Sequence, residues 1–284
     1  MPFLATMKWA ELSVAVTGDR QEIVGSLLTE TAGCYGYSCT IQAVNGYLPV
    51  DDRLENTLLT LRAALADVPE ISPEITIRFV AEEDWANAWK QYFKPQRIGR
   101  RLVVKPTWES FDAEEGDLVL QVDPGMAFGT GLHATTRLCL RALEDRVVPG
   151  MEVADVGTGS GILAVGAALL GASRVAAVDN DPVAVRVAIE NVAVNDLRAR
   201  VTVEESSAPP SGSFDIVVAN ILADVILGMV PALLAATKPG GQLIASGIID
   251  SRAEGVRVGL LEAGFLPAET ETDGEWVALI SRRA

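Results

Sequence analysis

Apolar residues along this chain recur at two spacings, and the order in which those spacings alternate predicts its architecture. Up to residue 81, Leu12, Val14 and Val16 fall on alternate positions, as do Tyr37, Cys39 and Ile41 and again Ile75, Ile77 and Phe79, the period of strands with one buried face. Between them Ile23 and Leu27 fall on one helical face, and Leu54, Leu58, Leu61 and Leu65 repeat at helical spacing. Asn45-Gly46 has the composition of a tight hairpin turn and is placed between the second and third strands. The order βαββαβ describes a ferredoxin-like α+β unit, with helices on one face of a small sheet. No motif in it carries chemistry, so a binding or positioning role is expected.

Residues 82–93 then read as a short helix, with Trp85, Trp89 and Phe93 along one side and Pro95 ending it. That aromatic stripe either packs against a neighbouring domain or faces a partner. Beyond it come strand-like runs at 102–105 and 118–122 and a helical pattern over 134–146. Strands at 152–156, 173–178, 200–203, 214–219 and 242–246 alternate with helices, the pattern of a parallel sheet covered on both faces. Lys238-Pro239-Gly240-Gly241 is read as the turn before the fifth of these. Runs at 265–269 and 276–280 flank Thr272-Asp273-Gly274 as a terminal hairpin. The expected organisation is therefore a ferredoxin-like domain over 1–81, a linker helix over 82–95, and a doubly wound Rossmann-like α/β domain over 96–284.

Composition narrows the class. At 284 residues, 49% apolar and 21% charged, the chain is ordinary globular protein with room for two cores. Its start, Met1-Pro2-Phe3-Leu4, lacks the basic and apolar segments of a signal peptide, and the apolar stretch 221–236 is broken by Asp224 and Pro231. A cytoplasmic protein with no membrane association is expected. Cys34, Cys39 and Cys139 form neither a metal-ligand spacing nor an even disulfide framework and are read as core thiols. The formal charge of −15 argues against non-specific nucleic-acid binding. It favours a basic protein or cationic substrate, or else is the common acidity of cytosolic proteins.

The candidate chemistry lies at successive strand ends, where open α/β sheets bind their ligands. Asp155-Val-Gly-Thr-Gly-Ser-Gly161 follows one apolar run, Asp179 ends the next, and Asn220-Ile-Leu222 ends another. Gly157, Gly159 and Gly161 let the backbone turn tightly and approach a ligand with no Cβ in the way. Glycine turn, carboxylate and amide in that order give the layout of a methyltransferase using S-adenosylmethionine. Gly159-Ser-Gly161-Ile-Leu-Ala164 also satisfies a dinucleotide pattern, and Asp179 can accept the ribose hydroxyls of either ligand, so both cofactors stay open. Asn180 borders the adenine or is a surface residue. Asp155 reaches the methionine amine through water or accepts loop N–H bonds. Asp181-Pro182 is read as a helix cap.

Asn220 either offers its side-chain oxygen to an amine N–H, aiming the nitrogen at the methyl, or caps the following helix. Upstream, Asp123 to Thr136 is a glycine-rich loop running into a helix. Gly129 and Gly131 make it pliable, Phe128 offers an aromatic face to a cation, and Thr135 or Thr136 can cap the helix while bonding a ligand. His133, the single histidine, cannot build a zinc site unaided; it takes a proton from an amine or only orders backbone. No metal is expected.

The segment from Asp123 to Thr136, the stretch from Asp155 to Ala164, Val218-Ala-Asn-Ile-Leu222, Ser246-Gly-Ile248, the Trp85 and Trp89 pair and the closing Gly274-Glu-Trp-Val277 together resemble the bacterial ribosomal protein L-eleven methyltransferase family. The resemblance covers nearly the whole chain. It implies S-adenosylmethionine as cofactor, with Thr136, Gly157, Asp179 and Asn220 at cofactor-contacting positions. It also implies a small N-terminal domain that recognises the ribosomal protein, free or on the ribosome, and a linker that presents several amines, lysine side chains and the N-terminal amine, to one catalytic domain. A monomer without nucleic-acid specificity is expected. Leu132 and Ala134 depart from the family, which usually has more polar residues or proline beside the histidine. The alternatives are a methyltransferase for another protein or small amine, a nicotinamide oxidoreductase, and a non-catalytic binding module that keeps the cofactor fold. Ile221-Leu222 in place of an Asn-Pro-Pro-Tyr motif argues against base or glutamine nitrogen as target.

Overall fold

The computed structural model describes residues 8–18, 20–34, 37–40, 42–50, 53–69, 71–81, 94–123 and 133–284. The chain divides into two compact units, Met1–Phe93 and Lys94–Ala284. The expected helix of residues 82–93, with Trp85, Trp89 and Phe93, lies outside the described residues.

The smaller unit runs β1 (Lys8–Ala15), α1 (Arg20–Ser26, continued by a π turn over Leu27–Thr31), β2 (Tyr37–Cys39), β3 (Ala43–Pro49), α2 (Leu54–Ala66) and β4 (Ile75–Ala81). Its antiparallel sheet has the order β2-β3-β1-β4, the ferredoxin-like arrangement. Leu54, Leu58, Leu61 and Leu65 are buried against Leu12 and Val14, as their spacing predicts. Four details differ. The buried stripe of α1 is Val24 and Leu28, while Ile23 is 43% exposed; one residue turns a helix by about 100°, so the pair chosen from sequence is one step off the sheet. Asn45 and Gly46 lie inside β3, and the connection precedes Ala43, whose N–H the Thr40 hydroxyl accepts at 3.0 Å. Gly46 is there for packing, since a Cβ would stand 2.8 Å from the Cys34 Sγ. Cys39 is exposed, unlike Cys34 and Cys139, and Phe79 stands 63% exposed near the end of β4.

The larger unit opens with β5 (Gln96–Arg97), β6 (Leu102–Lys105) and β7 (Leu118–Gln121), a three-stranded sheet in that order. After α3 (Ala134–Arg146) come β8 (Glu152–Val156), α4 (Ile162–Leu169), β9 (Arg174–Asp179), α5 (Pro182–Val194), β10 (Val201–Glu205), β11 (Phe214–Asn220), α6 (Ala223–Ala236), β12 (Thr237–Ile249), α7 (Asp250–Ala263), β13 (Glu269–Asp273) and β14 (Trp276–Arg282). The seven-stranded sheet has the order β10-β9-β8-β11-β12-β14-β13, parallel through β12 and antiparallel beyond. Alternate residues feed two cores. Val153, Val218 and Ile244 pack with α3 and α4, and Ala154, Val217 and Leu243 with α6 and α7. Among the described residues no helix is long and apolar enough to cross a membrane.

Two readings in this unit are corrected. Lys238-Pro239-Gly240-Gly241 is no turn but an irregularity within β12, whose partners jump from Phe214↔Thr237 to Ile216↔Gln242. The strand expected at 265–269 begins at Glu269 instead, because Phe265 is a buried plug after α7, donating its N–H to the Leu260 carbonyl at 3.0 Å. β13 is a polar edge strand with no apolar alternation to read. α3 engages it with arginines: Arg137 reaches Asp273 at 2.8 Å and Arg146 reaches Glu269 at 2.9 Å and Glu271 at 3.4 Å.

Candidate active site

The strand order reverses between β8 and β11: α4 carries the chain from β8 out to β9, and α6 carries it from β11 the other way to β12. Such a switch point opens a crevice at the carboxyl ends of the two strands. The glycine turn closes β8 and Asn220 closes β11, so the sequence-predicted residues converge on it.

Gly157, Gly159 and Gly161 have φ of +72°, +55° and +81°, left-handed values that side chains disfavour. Space is equally restrictive: a Cβ on Gly157 would stand 2.3 Å from Ile221 Cγ2, and one on Gly161 would stand 3.0 Å from Ala188 Cβ. The N–H groups of Gly157 and Thr158 donate to the Val178 carbonyl, and that of Gly161 to the Thr158 carbonyl. Gly159 N–H donates to Asp179 Oδ2 at 2.8 Å, while Asp179 Oδ1 accepts the Asp181 N–H at 3.0 Å. Asp179 thus braces the turn against the head of α5, with further lone pairs for a ligand. Asp181 caps α5 by accepting the Val183 N–H at 2.8 Å ahead of Pro182, as read from sequence. Asn180 is exposed beside Asp179.

Asp155 is fully buried beneath the turn. Its Oδ2 accepts the Thr158 hydroxyl at 2.6 Å and the Ala164 N–H at 3.0 Å, while Oδ1 has no partner. Burial raises its carboxyl to about 7, against the pull of those two hydrogen bonds and with a smaller push from Asp179. Asn220 is half-buried at the end of β11, paired with Ser246 of β12. The helix after it starts only at Ala223 with Leu222 at its cap position, which removes the cap reading of Asn220. Since Val218 pairs with Asp155, strand alternation puts Asp155, Asn220 and Ser246 on one face of the sheet, the face that α3 covers.

The first turn of α3 completes the site. Thr136 is buried and its hydroxyl has no partner. The cap is His133 rather than Thr135 or Thr136: its Nδ1 lies 2.8 Å from Thr135 Oγ1 and accepts the Thr135 N–H at 3.4 Å. Its ring meets Trp276 edge-on at 4.8 Å. Burial, helped by the Arg137 charge and opposed by Asp273, holds the imidazole below its ordinary 6.5. Ala134 opens α3, whereas Phe128, Gly129, Gly131 and Leu132 lie outside the described residues.

A pyrophosphate binds through free backbone donors at a glycine turn. Here the N–H groups of Gly157, Thr158, Gly159, Gly161 and Ala164 serve acceptors of the protein, and the Asp155 carboxyl stands at the head of α4. The crevice has a close backbone and the Asp179 carboxylate, and two buried oxygens, on Asp155 beneath the turn and on Thr136 in the first turn of α3, have no partner in the protein. That set suits a ligand with ribose hydroxyls and positive charge. Sequence reasoning missed two amides at the carboxyl end of α5: Asn191, bonded to Asp123 and Ser160, and the cap residue Asn195, bonded to Gln121. Their only signal was a pair of asparagines one helical turn apart.

Known proteins match over the same extent. The family profile described as ribosomal protein L11 methyltransferase (PrmA) matches residues 8–284. The ribosomal protein L11 methyltransferase of Pelotomaculum thermopropionicum is 47% identical over 305 aligned positions, spanning 97% of this chain and 99% of its own. That of Chloroflexus aurantiacus is 40% identical over 330, spanning 99% of each. The crystal structure of a ribosomal protein L11 methylase from Lactobacillus delbrueckii subsp. bulgaricus aligns with a TM-score of 0.63 at 35% identity, covering 68% of this chain and 100% of that one.

Proposed function

The chain belongs to the ribosomal protein L11 methyltransferase family, and from that premise we propose that it is an S-adenosylmethionine-dependent N-methyltransferase acting on amino groups of ribosomal protein L11, lysine side chains and the N-terminal amine. The observation that carries the reading is the meeting of the glycine turn, Asp179 and Asn220 at one switch point. When bound, S-adenosylmethionine supplies a methyl group on a sulfonium that leaves as a neutral thioether. Gly157, Gly159 and Gly161 admit the ligand against the backbone, and Asp179, with Asn180 beside it, takes the ribose. Asp155 and Thr136 present their unpartnered oxygens to its charged amino-acid end.

Asn220 orients the nucleophile. Its side-chain oxygen accepts an N–H of the incoming amine and leaves the nitrogen lone pair directed at the methyl, so positioning supplies most of the rate. A lysine amine is ordinarily protonated below about pH 10.4, so the site must take up its neutral form. Ile221, packed on the core beside Asn220, favours that form by withholding water. The proton leaves to solvent, while His133, engaged with Thr135, orders the head of α3. Phe128 offers its ring to the cationic groups by its chemistry alone. The smaller unit recognises the ribosomal protein, whose approach a net charge of −15 assists if that partner is basic. The enzyme acts in the cytoplasm as a monomer.

The test is transfer of labelled methyl from S-adenosylmethionine to purified ribosomal protein L11, with mass spectrometry of the product. Label on lysine side chains and the N-terminal nitrogen supports the reading. Donor binding without transfer would point to a binding module instead, and label on other atoms would overturn the amine assignment.

A further inference from the structure

One stripe of α5 faces both the glycine turn and the open edge of β7. It consists of Ala188, Asn191 and Asn195, at helical positions i, i+3 and i+7. Ala188 fills the space before Gly161. The Asn195 carboxamide accepts the Gln121 N–H at 2.9 Å and donates to the Gln121 carbonyl at 2.6 Å. Asn191 repeats this two residues along, accepting the Asp123 N–H at 3.0 Å and donating to the Asp123 carbonyl at 3.2 Å. The spacing explains the match: residues i and i+4 of a helix are about 6 Å apart, and alternate residues of a strand about 6.6 Å. Two helical amides thus stand in for a neighbouring strand.

Asn191 makes one bond that Asn195 does not. It also donates to the Ser160 carbonyl, in the glycine turn, at 2.8 Å. The corresponding N–H of Asn195 returns to the Asn191 carbonyl at 2.7 Å, within its own helix. Asn191 is 1% exposed. Its orientation is dictated, because turning the carboxamide over would set its NH2 against the Asp123 N–H and its oxygen against the Ser160 carbonyl.

We propose that Asn191 is a positioning residue for the methyl donor: it ties the Ser160 peptide to the end of β7 and so holds the glycine turn in its binding shape before the donor arrives. The proposal rests on the reading that the donor binds at that turn. Ser160 is flanked by Gly159 and Gly161 at φ of +55° and +81°, and glycines relax readily once the peptide between them is released. Losing the tether therefore weakens donor binding and leaves the transfer step itself intact.

The test compares Asn191→Ala with Asn195→Ala in the full chain. Both remove amide bonds from the same helix to the same strand, so both lower the melting temperature. Asn191→Ala is expected to raise Kd and KM for S-adenosylmethionine about tenfold, the loss of one buried hydrogen bond, with kcat at saturating donor within about twofold of the parent. Asn195→Ala keeps the donor KM within about twofold. If Asn191→Ala does not fold, Asn191→Asp against Asn195→Asp carries the comparison, since each keeps its acceptor for the strand N–H and sets an oxygen against the strand carbonyl, and only the former also turns the Ser160 contact into a repulsion. An equal rise in KM for both sites, or an unchanged donor affinity at Asn191, overturns the proposal. Asp179→Ala, measured alongside, separates the two claims. If it too leaves affinity unchanged, the placement of the donor is at fault; if it alone weakens binding, the tether is wrong.

Discussion

Replacing Asp155 by asparagine should make the ligand-free larger unit more stable relative to the parent as pH rises. The carboxyl is fully buried, with one oxygen bonded to Thr158 and Ala164 and the other unpartnered. Burial moves it from 3.8 to about 7 in the folded chain. Between those values the folded state keeps a proton that the unfolded state has released, so stability falls as pH climbs and the last of this contribution is lost as pH passes 7. The whole span is worth about 4 kcal/mol, at about 1.4 kcal/mol per tenfold, and about half of it is lost above pH 5.5. Asparagine keeps the shape and the acceptor for Thr158 and Ala164 but cannot ionise. The stability difference, variant minus parent, should therefore grow by about 2 kcal/mol between about pH 5.5 and 8.5. Native-state hydrogen exchange at the amides of β8 and β11 measures it, because those amides report on the larger unit alone and comparison at equal pH cancels the intrinsic exchange rate. A difference that stays constant across that range would refute a raised carboxyl at this position.

Three further outcomes are expected. Asp179→Ala should weaken S-adenosylmethionine binding by about 10- to 100-fold in calorimetric titration, the loss of charged hydrogen bonds to the ligand and to Gly159; unchanged affinity would remove Asp179 from the site. Asn220→Ala should lower kcat about a hundredfold while donor Kd changes by less than about threefold, and full turnover would end its orienting role. His133, as the single histidine, gives one ring titration by NMR with a midpoint below 6.5; Asp273→Asn should lower it further and Arg137→Gln raise it, and a midpoint at or above 6.5 would contradict the burial that sets it.

Much of the fold could be read from the chain because its period-setting residues are local. The α2 stripe of leucines, the limits of α3 and the strand that runs into the glycine turn each follow from neighbours a few positions apart. The readings that failed depended on partners distant in sequence. Gly46 has the composition of a turn, and only the closeness of Cys34 shows why a strand needs it. Val24 rather than Ile23 is buried because the sheet, not the helix, chooses the face. β13 was misplaced because an edge strand engaged by arginines from α3 carries charges where an apolar alternation was sought. The candidate site was legible where its residues cluster in motifs. Asn191 was not, since what it binds is main chain at Asp123 and Ser160, and main chain leaves no mark in a sequence.

The sign of the charge in the crevice follows from how the glycine turn is satisfied. A helix head after a glycine turn ordinarily presents free N–H groups and attracts an anion. In this chain Asp179 takes the Gly159 N–H of the turn and Asp155 takes the Ala164 N–H at the head of α4, so two of those donors are already engaged by acids. Burial, with a smaller push from Asp179, raises the Asp155 carboxyl to about 7, so the free protein keeps it protonated below neutrality. On the proposed reading the donor's amino-acid end brings its ammonium charge to that carboxyl, whereas a pyrophosphate would bring negative charge to it. Asp179 can serve either class of cofactor, so in a fold shared by both it is the buried acid at the head of α4, and not the glycines, that departs from a phosphate site.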